Sequence, residues 1–373
     1  MQKRYYSAPA LVDISLTRRC NLKCSYCYAS GTPDADKNEE LHLENFSALF
    51  NDLDSINTHR IALSGGEPFM REDFFNILDL TQRHKFAKII NTNGMLIKDD
   101  IAKKLSTYDI DRICVTIDGS NSTMHDSLRG EGSFAAAIEG IANLQKCRLP
   151  VSTLYTLTND NVGDLINTIK LNESLGMEYM SVMVVCPTGR ASDGSSLLTP
   201  EVWYPLFLKL TEMKMKGEIK LSFKIVPPNE SRVFWLFYYP LKHYNKLDLL
   251  SVWNQSITFA GNNRDVSCQA GIAACSIAHN GDVYGCDLMM GIDEFKAGNV
   301  KDKSIKDIWN HSSVFSTLRN LKYSDLQGKC ARCKNIWCGG GCRSAAFNLT
   351  GTITGADDSC FEKGDEYLNA NER

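Results

Sequence analysis

The sequence lacks any long apolar stretch, and this absence excludes two classes of protein. No run of apolar residues approaches the roughly 18 that a transmembrane helix needs. The first residues, MQKRYYSAPALVDIS, contain no apolar core of a secretory signal peptide. We therefore predict a cytosolic (cytoplasmic) protein with no membrane partner.

A strong charge of either sign is also lacking. The formal net charge is −3, from 41 basic and 44 acidic residues. Proteins that bind nucleic acid through a basic field carry an excess of positive charge. We therefore predict no nucleic-acid partner. The length of 373 residues suits one large α/β domain and a smaller one.

Cysteine, in contrast, is abundant, with 14 residues in the chain. Disulfides are disfavoured in the cytosol, so grouped cysteines indicate metal or redox chemistry. One group lies near the start of the chain and a larger one in its last third. The scattered Cys114, Cys147 and Cys186 are interpreted as small buried apolar residues.

Residues 11–186 alternate between strand-like and helix-like patterns. The predicted strands are LVDISLT, RIALSG, KIINTN, RICVTID, VSTLYTLT and YMSVMVV. Six β/α repeats predict an α/β fold with a parallel sheet, and we interpret it as a partial (β/α)6 TIM-type barrel. A flat, doubly wound sheet is the alternative.

We assign residues 1–190 to a first domain, the core that contains this alternation, and two further regions follow it. Residues 191–262 form a connecting segment, with a helix beginning at Pro200 and an aromatic tract, RVFWLFYYPLKHYNK. The tract is interpreted as core packing or as the wall of a substrate cavity. Residues 263–373 form a small cysteine-rich domain.

Each unusual short motif follows directly after one of the six strands. Parallel α/β proteins place their sites at the carboxyl ends of strands. We therefore expect these motifs to lie on one face, and they are the cysteine triplet, SGGEPF, NTNG, TIDG, TNDN and CPTGR.

The first motif, CNLKCSYC, carries three thiolates on one loop. Thiolates are the natural ligands of iron–sulfur clusters, and three can hold three irons of a 4Fe–4S cube. A metal with an open position marks a catalytic site. We therefore expect Cys20, Cys24 and Cys27 to bind a cluster whose fourth iron takes a substrate or cosubstrate.

The other motifs suit an amino-acid-like cosubstrate. The glycines of SGGEP let the backbone approach a ligand, and Glu67 offers a carboxylate to an ammonium group. For Glu67 alone, the simpler interpretation is a helix N-terminal charge beside Pro68. Thr116 and Asp118 could hydrogen-bond a ribose, and Tyr26 could lie against a purine.

These motifs together resemble the radical S-adenosylmethionine (SAM) enzymes. CNLKCSYC is similar to that family's CxxxCxΦC motif, with an aromatic Φ, and SGGEP to its methionine-binding segment. The resemblance implies that SAM binds the unique iron and is cleaved to a 5′-deoxyadenosyl radical, which abstracts a substrate hydrogen. The cofactor-binding residues assigned on this basis are Tyr26, Gly65, Gly66, Glu67, Pro68, Asn93, Thr116, Asp118 and Arg129.

The segment CSIAHNGDVYGC predicts a β-hairpin in the cysteine-rich domain. Asn280–Gly281 is a favoured pair for a two-residue type I′ turn. With that turn, Cys275 lies directly opposite Cys286, where both thiolates could hold one metal centre. A disulfide or a zinc site is the alternative for this pair.

The last third of the chain resembles the SPASM domain, which binds auxiliary clusters in several maturases. The resemblance implies a first auxiliary 4Fe–4S cluster on Cys268, Cys275, Cys286 and Cys342. It implies a second on Cys330, Cys333, Cys338 and Cys360, which brings the expected total to three clusters. The family's seven-cysteine pattern does not require Cys275.

The resemblance implies a radical SAM oxidoreductase that crosslinks or oxidises a ribosomally made peptide. Since only about ten residues precede the first strand, we expect no fused leader-recognition domain, and either a separate leader-binding protein or none. A flavodoxin or a ferredoxin-type protein is the expected reductant. One alternative is oxidation or decarboxylation of a tetrapyrrole or other cofactor precursor, and another is a non-catalytic electron-transfer protein.

Overall fold

The structure is a computed structural model that describes residues 5–226, 234–253, 266, 268–333, 338–357 and 359–361. The chain divides into two compact units. Unit 1 consists of Met1–Leu154 and Gln269–Asn320, and unit 2 of Tyr155–Cys268 and Leu321–Arg373. This spatial division differs from the three predicted domains, whose boundaries remain predictions.

Ten strands occur in the described residues. They are β1 (Leu11–Ser15), β2 (Arg60–Ser64), β3 (Ala87–Thr92), β4 (Arg112–Thr116), β5 (Val151–Leu157), β6 (Tyr179–Val184), β7 (Ser222–Val226), β8 (Ala274–Ile277), β9 (Asp282–Tyr284) and β10 (Gly298–Asn299). The first six confirm the strands predicted from the sequence and differ from them by at most two residues at an end.

Twelve α-helices occur in the same part of the chain. They are α1 (Leu43–Ser55), α2 (Phe74–Thr81), α3 (Asp99–Leu105), α4 (Ser122–Arg129), α5 (Ser133–Lys146), α6 (Leu165–Ser174), α7 (Pro200–Met215), α8 (Tyr239–His243), α9 (Ile305–His311), α10 (Ser313–Asn320), α11 (Gly328–Arg332) and α12 (Arg343–Thr350). Among the described residues, no helix is both long enough and apolar enough for a membrane span.

In unit 1, β1 pairs in parallel with β2 on one side and β8 on the other. Parallel pairing continues through β3 and β4 to the first residues of β5. Beyond β8, strands β9 and β10 add antiparallel pairs. The chain therefore has a mixed α/β fold with a parallel sheet, consistent with a partial TIM barrel, and carries antiparallel strands in its C-terminal domain.

Side-chain burial explains why these segments adopt their structure. Along β1, Val12 and Ile14 are 1% and 0% exposed, as expected when alternate residues face an apolar core. Helix α1 buries Phe46, Leu49, Phe50 and Leu53, a spacing that puts one apolar stripe along the helix. Because the strands are parallel and in register, the loops that follow β1 to β4 leave the sheet at one edge.

In unit 2, β6 and β7 pair in parallel, and α7 begins at Pro200 as predicted. The aromatic tract contributes to the core of this unit. Trp235 and Phe237 are 3% and 0% exposed, and the Phe237 ring centroid lies 5.2 Å from that of Phe207 and 5.4 Å from that of Trp253. These contacts favour core packing, although tract residues 232–233 lie outside the described residues.

Candidate functional site

The cysteine loop follows β1 in unit 1 and is fixed by backbone hydrogen bonds. The Cys20 N–H donates to the Thr32 carbonyl oxygen at 3.1 Å, and the Ser25 N–H donates to the Leu128 carbonyl oxygen at 3.0 Å. Within the loop, the Cys27 N–H donates to the Cys24 carbonyl oxygen at 3.3 Å. Cys20 and Cys24 are buried and Cys27 is half-buried. The three thiols therefore lie on one anchored loop.

The glycines of SGGEP pack against the chain that leads into this loop. The Gly66 N–H donates to the Thr17 carbonyl oxygen at 2.7 Å, and the Glu67 N–H to that of Arg19 at 2.8 Å. A Cβ on Gly65 would lie 2.4 Å from the Thr17 oxygen, and one on Gly66 2.2 Å from the Arg19 oxygen. The space that the glycines leave is thus filled by protein rather than reserved for a ligand. Their assignment to cofactor binding remains a prediction.

Glu67 is fully buried, and protein donors orient both oxygens of its carboxylate. Oε1 accepts from the Thr92 hydroxyl at 2.7 Å and from the Phe69 N–H at 3.3 Å. Oε2 accepts from the Asn93 N–H at 2.8 Å. Burial raises the pKa of Glu67 to about 7, although these hydrogen bonds favour the ionised form. Glu67 also caps the N-terminus of the short 3-10 helix Pro68–Met70. The simpler interpretation, a helix N-terminal charge beside Pro68, is therefore observed as well.

Asn93 connects the end of β3 to the cysteine loop. Its Nδ2 donates to the Asn21 Oδ1 at 2.7 Å, and its Oδ1 accepts from the Met95 N–H at 2.9 Å. Asn21 lies next to Cys20 in the sequence. The NTNG segment therefore helps to hold the loop that carries the thiols.

Tyr26, Asp118 and Arg129 form a buried triad beside the thiols. The Arg129 Nη1 donates to the Asp118 Oδ2 and to the Tyr26 hydroxyl oxygen, both at 2.7 Å, and the Tyr26 hydroxyl donates to Asp118. The three residues are 8%, 0% and 8% exposed in that order. Burial raises the pKa of Tyr26 well above its usual value, so its hydroxyl keeps the proton that it donates.

The triad retains one unused donor. The Arg129 Nε is buried and has no hydrogen-bond partner among the described residues. Burial opposes the charge of this guanidinium, but Tyr26, Cys24 and Asp118 outweigh it and raise the pKa of Arg129. The Arg129 charge also acts on Glu67. The Arg129 guanidinium lies near Cys24, and the Glu67 carboxylate lies near Cys20. This arrangement fits a ligand with a carboxylate and an ammonium group.

Thr116, at the end of β4, is half-buried.

Cys24 and Cys27 lie close enough to Cys20 to affect its pKa, and the assignment of the three thiols to a cluster remains a prediction. In the part of the chain that the structure describes, no three His, Cys, Asp or Glu side chains are grouped around a single metal ion. A four-iron cube is held differently, because its thiolates bind separate corners. Burial raises the pKa of Cys20 to about 12, and Glu67 and the other two thiols add to this. A bound metal stabilises the thiolate form of such a buried cysteine.

A buried ion network beside the loop escaped the sequence analysis. The Glu40 carboxylate accepts from the Arg19 Nε at 2.9 Å and from the Thr17 hydroxyl, and lies 3.3 Å from the Arg71 Nη1. Arg71 also donates to the Leu16 carbonyl oxygen at 2.9 Å. Glu40 is 21 positions from Arg19 and 23 from Thr17, so no local pattern signals these contacts. These contacts stabilise the segment between β1 and the cysteine loop.

The turn between β8 and β9 is one residue longer than predicted. The Ala278 N–H donates to the Asp282 carbonyl oxygen at 2.8 Å, which leaves residues 279–281 as the turn. The Asn280–Gly281 pair is thus part of a three-residue turn. Three-residue hairpin loops commonly end in a left-handed glycine, and Gly281 has φ +92°.

This register changes the relation between the two cysteines of the hairpin. Ser276 pairs with Tyr284, so continuing the ladder would place Gly285, and not Cys286, opposite Cys275. The prediction that Cys275 lies opposite Cys286 is therefore wrong. This register removes the geometric support for a shared metal centre on the pair. Only the family resemblance still assigns Cys275 as a ligand, and its seven-cysteine pattern does not require that residue. The hairpin therefore favours a first auxiliary cluster that assembles without Cys275.

The hairpin geometry predicts different iron contents for two cysteine variants. Cys275 is 1% exposed and pairs in the sheet with Val12, a core residue. We expect Cys275→Ala to keep the wild-type iron content after anaerobic reconstitution, and Cys286→Ala to lose about four irons. Iron and sulfide analysis of both variants checks this. Loss of iron from Cys275→Ala equal to that from Cys286→Ala would contradict it.

In unit 2, the four thiols predicted for the second auxiliary cluster lie around shared neighbours. Tyr323 lies beside Cys330, Cys333 and Cys338, whose charges add to burial in raising its pKa. Cys338 belongs to a cluster of buried residues, and the partly buried Cys360 packs against that cluster. These shared neighbours support the predicted second cluster, whose four ligands remain a prediction. Residues 334–337 lie outside the described residues.

The thiols predicted for the first auxiliary cluster belong to different units. Cys275 and Cys286 lie in unit 1, and Cys268 and Cys342 in unit 2. Within unit 2, Cys342 precedes α12, and its N–H donates to the Asp357 Oδ2 at 2.7 Å. Their joint assignment remains a prediction.

Two family models match the chain. The radical SAM superfamily matches residues 14–171, which include the cysteine loop, Glu67 and the Arg129 triad. The SPASM iron–sulfur cluster-binding domain matches residues 268–334, which include the hairpin and Cys330.

Curated relatives match nearly the whole chain. An AdoMet-dependent heme synthase of Methanosarcina barkeri is 27% identical over 95% of this chain and 97% of its own. A mycofactocin maturase, MftC, of Mycolicibacterium smegmatis is 28% identical over 96% of this chain and 84% of its own. The two names indicate different substrates.

A solved structure shares the fold. Streptococcus suis SuiB bound to its precursor peptide SuiA superposes with a TM-score of 0.76 at 18% identity, over 96% of this chain and 77% of that one. The matched domains include the cysteine loop, the Glu67 segment and the cysteine-rich region as far as residue 334. The chain therefore carries a radical SAM domain, the domain of a superfamily of enzymes, over residues 14–171 and a SPASM iron–sulfur cluster-binding domain over residues 268–334.

Proposed function

We propose that the protein uses SAM-derived radical chemistry to abstract a hydrogen atom from a ribosomally made peptide, which it crosslinks or oxidises. The observation that carries the radical chemistry is the meeting of three thiols, Glu67 and the Arg129 triad at one edge of the sheet. The relation to a mycofactocin maturase supports a peptide as the substrate.

In this proposal, Cys20, Cys24 and Cys27 bind a 4Fe–4S cluster. The cluster and SAM, when bound, supply the 5′-deoxyadenosyl radical. Glu67 accepts hydrogen bonds from the ammonium group of SAM, and the free Nε of Arg129 donates to its carboxylate. Asp118, held by Arg129 and Tyr26, lies at the end of β4 beside Thr116, where both could contact the ribose.

Burial makes these contacts strong and keeps water away from the reaction. Glu67 and Asp118 are fully buried, and Tyr26 and Arg129 nearly so. Charges interact more strongly where water is excluded, and exclusion of water protects a reactive intermediate. An ammonium group beside Glu67 lowers the pKa of that carboxyl again, because opposite charges favour the ionised form.

The cysteine-rich region supplies two auxiliary 4Fe–4S clusters in this proposal, which makes three in all. We assign electron transfer to them, since a net oxidation must remove an electron from the substrate after the hydrogen atom has left. A flavodoxin or ferredoxin-type protein provides the reducing electron, and a separate leader-binding protein presents the peptide.

A second candidate is oxidation or decarboxylation of a tetrapyrrole precursor. It is favoured by the heme synthase of Methanosarcina barkeri, which this chain matches over 97% of that relative's length. Both candidates use the same radical site and differ in the molecule that faces it.

The two candidates are separated by the substrate that accelerates SAM cleavage. Anaerobic reactions contain SAM, a chemical reductant and one of two substrates. The first is the product of any small peptide reading frame found beside the gene, together with any leader-binding protein encoded there, and the second is iron coproporphyrin. We expect the peptide to stimulate release of 5′-deoxyadenosine and to lose a pair of hydrogen atoms by mass spectrometry. Stimulation by iron coproporphyrin alone, with release of carbon dioxide, would establish the second candidate.

A further inference from the structure

Glu40 joins two segments of the candidate site in unit 1 through both oxygens of its carboxylate. Its Oε1 accepts from the Thr17 hydroxyl and from the Arg19 Nε at 2.9 Å. Its Oε2 accepts from the Arg19 Nη2 at 3.0 Å and lies 3.3 Å from the Arg71 Nη1. Thr17 and Arg19 lead into the cysteine loop, and Arg71 directly follows the 3-10 helix that Glu67 caps. One carboxylate therefore contacts both the thiol-bearing segment and the Glu67 segment.

Arg71 is itself held in a fixed position by other acceptors. Its Nη1 donates to the Leu16 carbonyl oxygen at 2.9 Å, and its Nη2 to the Leu41 carbonyl oxygen at 3.0 Å. Its Nε and Nη2 also donate to the two oxygens of the Asp73 carboxylate, at 2.9 and 2.8 Å. The planar guanidinium presents these donors in a rigid fork, and Arg71 is 6% exposed. The partner of Glu40 on the Glu67 side is thus anchored.

On the side of the thiols, Arg19 is fixed through its backbone and its side chain. Its carbonyl oxygen accepts the Glu67 N–H at 2.8 Å, and its own N–H donates to the Thr17 Oγ1 at 2.9 Å. Its guanidinium is held by Glu40, which is 7% exposed. Cys20 is the next residue in the chain. A displacement of Arg19 therefore moves Cys20 relative to Glu67.

The turn between β8 and β9 holds the backbone on both sides of Glu40. The Leu41 N–H donates to the His279 carbonyl oxygen at 2.8 Å, and the Glu39 Oε2 lies 3.3 Å from the His279 Nε2. A Cβ on Gly281 would lie 3.1 Å from the Leu41 Cδ2, so the turn packs closely against this segment. The hairpin thereby fixes the position from which the Glu40 carboxylate reaches its partners.

We propose that Glu40 is a positioning residue that sets the placement of the Cys20 thiol relative to the Glu67 carboxylate. The proposal rests on the proposed function, in which Cys20 helps to hold the cluster and Glu67 accepts the ammonium group of SAM. A ligand that must meet two groups at once binds more weakly when either is displaced, because the site is no longer pre-organised. Glu40 acts on SAM binding through Arg19 and Arg71.

The first test is Glu40→Gln in the reconstituted full-length protein. Glutamine has nearly the same shape, but its amide nitrogen replaces one oxygen and cannot accept a hydrogen bond. The variant therefore loses the contacts of either Oε1 or Oε2. We expect the Kd for SAM to rise by about tenfold, with the wild-type iron content retained. Equilibrium dialysis and iron analysis measure the two quantities.

The matched control is Glu39→Gln. Glu39 precedes Glu40 in the chain, its side chain is 56% exposed, and it contacts the same hairpin turn at His279. We expect this variant to bind SAM with the wild-type Kd. A purely structural role of Glu40 would lower the Tm but leave the Kd of the iron-loaded protein unchanged. Such a result in Glu40→Gln, or an equal rise of the Kd in both variants, would overturn the proposal.

A spectroscopic measurement separates this proposal from the proposed function. Electron paramagnetic resonance of the reduced protein is recorded with and without SAM. In wild type we expect SAM to change the spectrum, and in Glu40→Gln we expect a smaller change at the same SAM concentration. If SAM leaves the wild-type spectrum unchanged, the proposed function fails, and the role of Glu40 with it. If both proteins respond equally, only the role of Glu40 is overturned.

A second variant, Thr17→Val, covers the case in which Glu40→Gln does not assemble its clusters. Valine has the shape of threonine without the hydroxyl, so Glu40 loses a donor and the Arg19 N–H loses an acceptor, while every charged group stays in place. We expect the Kd for SAM to rise by about threefold, since one neutral hydroxyl contributes less than a charged group. A wild-type Kd in iron-loaded Thr17→Val would contradict the proposal.

Discussion

Replacing Cys20, Cys24 and Cys27 together by alanine should reduce 5′-deoxyadenosine formation from SAM to the background of a protein-free reaction. The three thiols lie on one loop beside Glu67 and Arg129, and with all three removed the loop offers no ligand to iron. Hydrogen abstraction depends on this cluster, so substrate modification is lost as well. Anaerobic reactions with a chemical reductant, analysed by liquid chromatography, measure both products.

The control for this variant is Cys147→Ala. Cys147 follows α5, is half-buried and belongs to neither of the two groups of cysteines. We expect it to form 5′-deoxyadenosine at the wild-type rate. The triple variant should also retain the iron of the cysteine-rich region, about eight atoms per chain for two cubes. SAM cleavage that persists in the triple variant would show that the cluster lies elsewhere.

Replacing Arg129 by leucine should destabilise the protein by about 3–5 kcal/mol, because it removes a buried cation that pairs with the buried Asp118 carboxylate. Asp118 is fully buried and lies 2.7 Å from the Arg129 Nη1. The same change removes the donor that we assign to the SAM carboxylate. Urea denaturation of the cluster-free protein measures the free energy of unfolding, and equilibrium dialysis measures SAM binding to the reconstituted protein.

An exposed ion pair of similar length provides the matched control. Lys98 and Glu139 lie 2.6 Å apart, and each side chain is about half exposed. We expect Lys98→Ala to cost less than about 1 kcal/mol, because exposed pairs are screened by water. Adding Asp118→Leu to Arg129→Leu should recover part of the stability but not SAM binding. Equal destabilisation by Arg129→Leu and Lys98→Ala would contradict the buried-pair argument.

The strands and the position of the site were predictable because local patterns specify them. Each of β1 to β6 is a short β-branched or apolar run that ends at a distinctive motif, and parallel pairing brings the ends of β1 to β4 to one edge. The cysteine triplet, SGGEP and TIDG are short motifs that each follow one strand of the parallel sheet. The topology alone therefore predicts that they lie close together.

The hairpin turn was predicted one residue too short because tertiary contacts select its length. Asn280 uses its side chain to bond Asp282 twice, through Nδ2 at 2.9 Å and by accepting from the Asp282 N–H at 3.1 Å. Asn299 of β10 donates to the Asp282 carboxylate at 2.8 Å. Asn280 lies in the turn and Asp282 follows it, but Asn299 is distant in sequence, and the dipeptide rule contains no information about it.

The Glu40 network beside the cysteine loop was also not predictable from local sequence patterns. Glu40 is held by Arg19 and Arg71, and each of these arginines is an ordinary surface residue by sequence. A buried carboxylate among arginines depends on how three loops meet in space. Sequence spacing could not reveal it, since neither helical nor strand periodicity relates these positions.

The contact of Gly65 and Gly66 with the chain at Thr17 and Arg19 has a consequence for how the enzyme can diversify. The thiol loop and the Glu67 segment touch through bare backbone, so even a methyl group at Gly66 would push them apart. Variation in side-chain size at these two positions therefore cannot adjust the distance between the cysteine loop and the Glu67 segment. In the proposed function, a change of substrate preference has to come from other positions, because this junction admits no side chain.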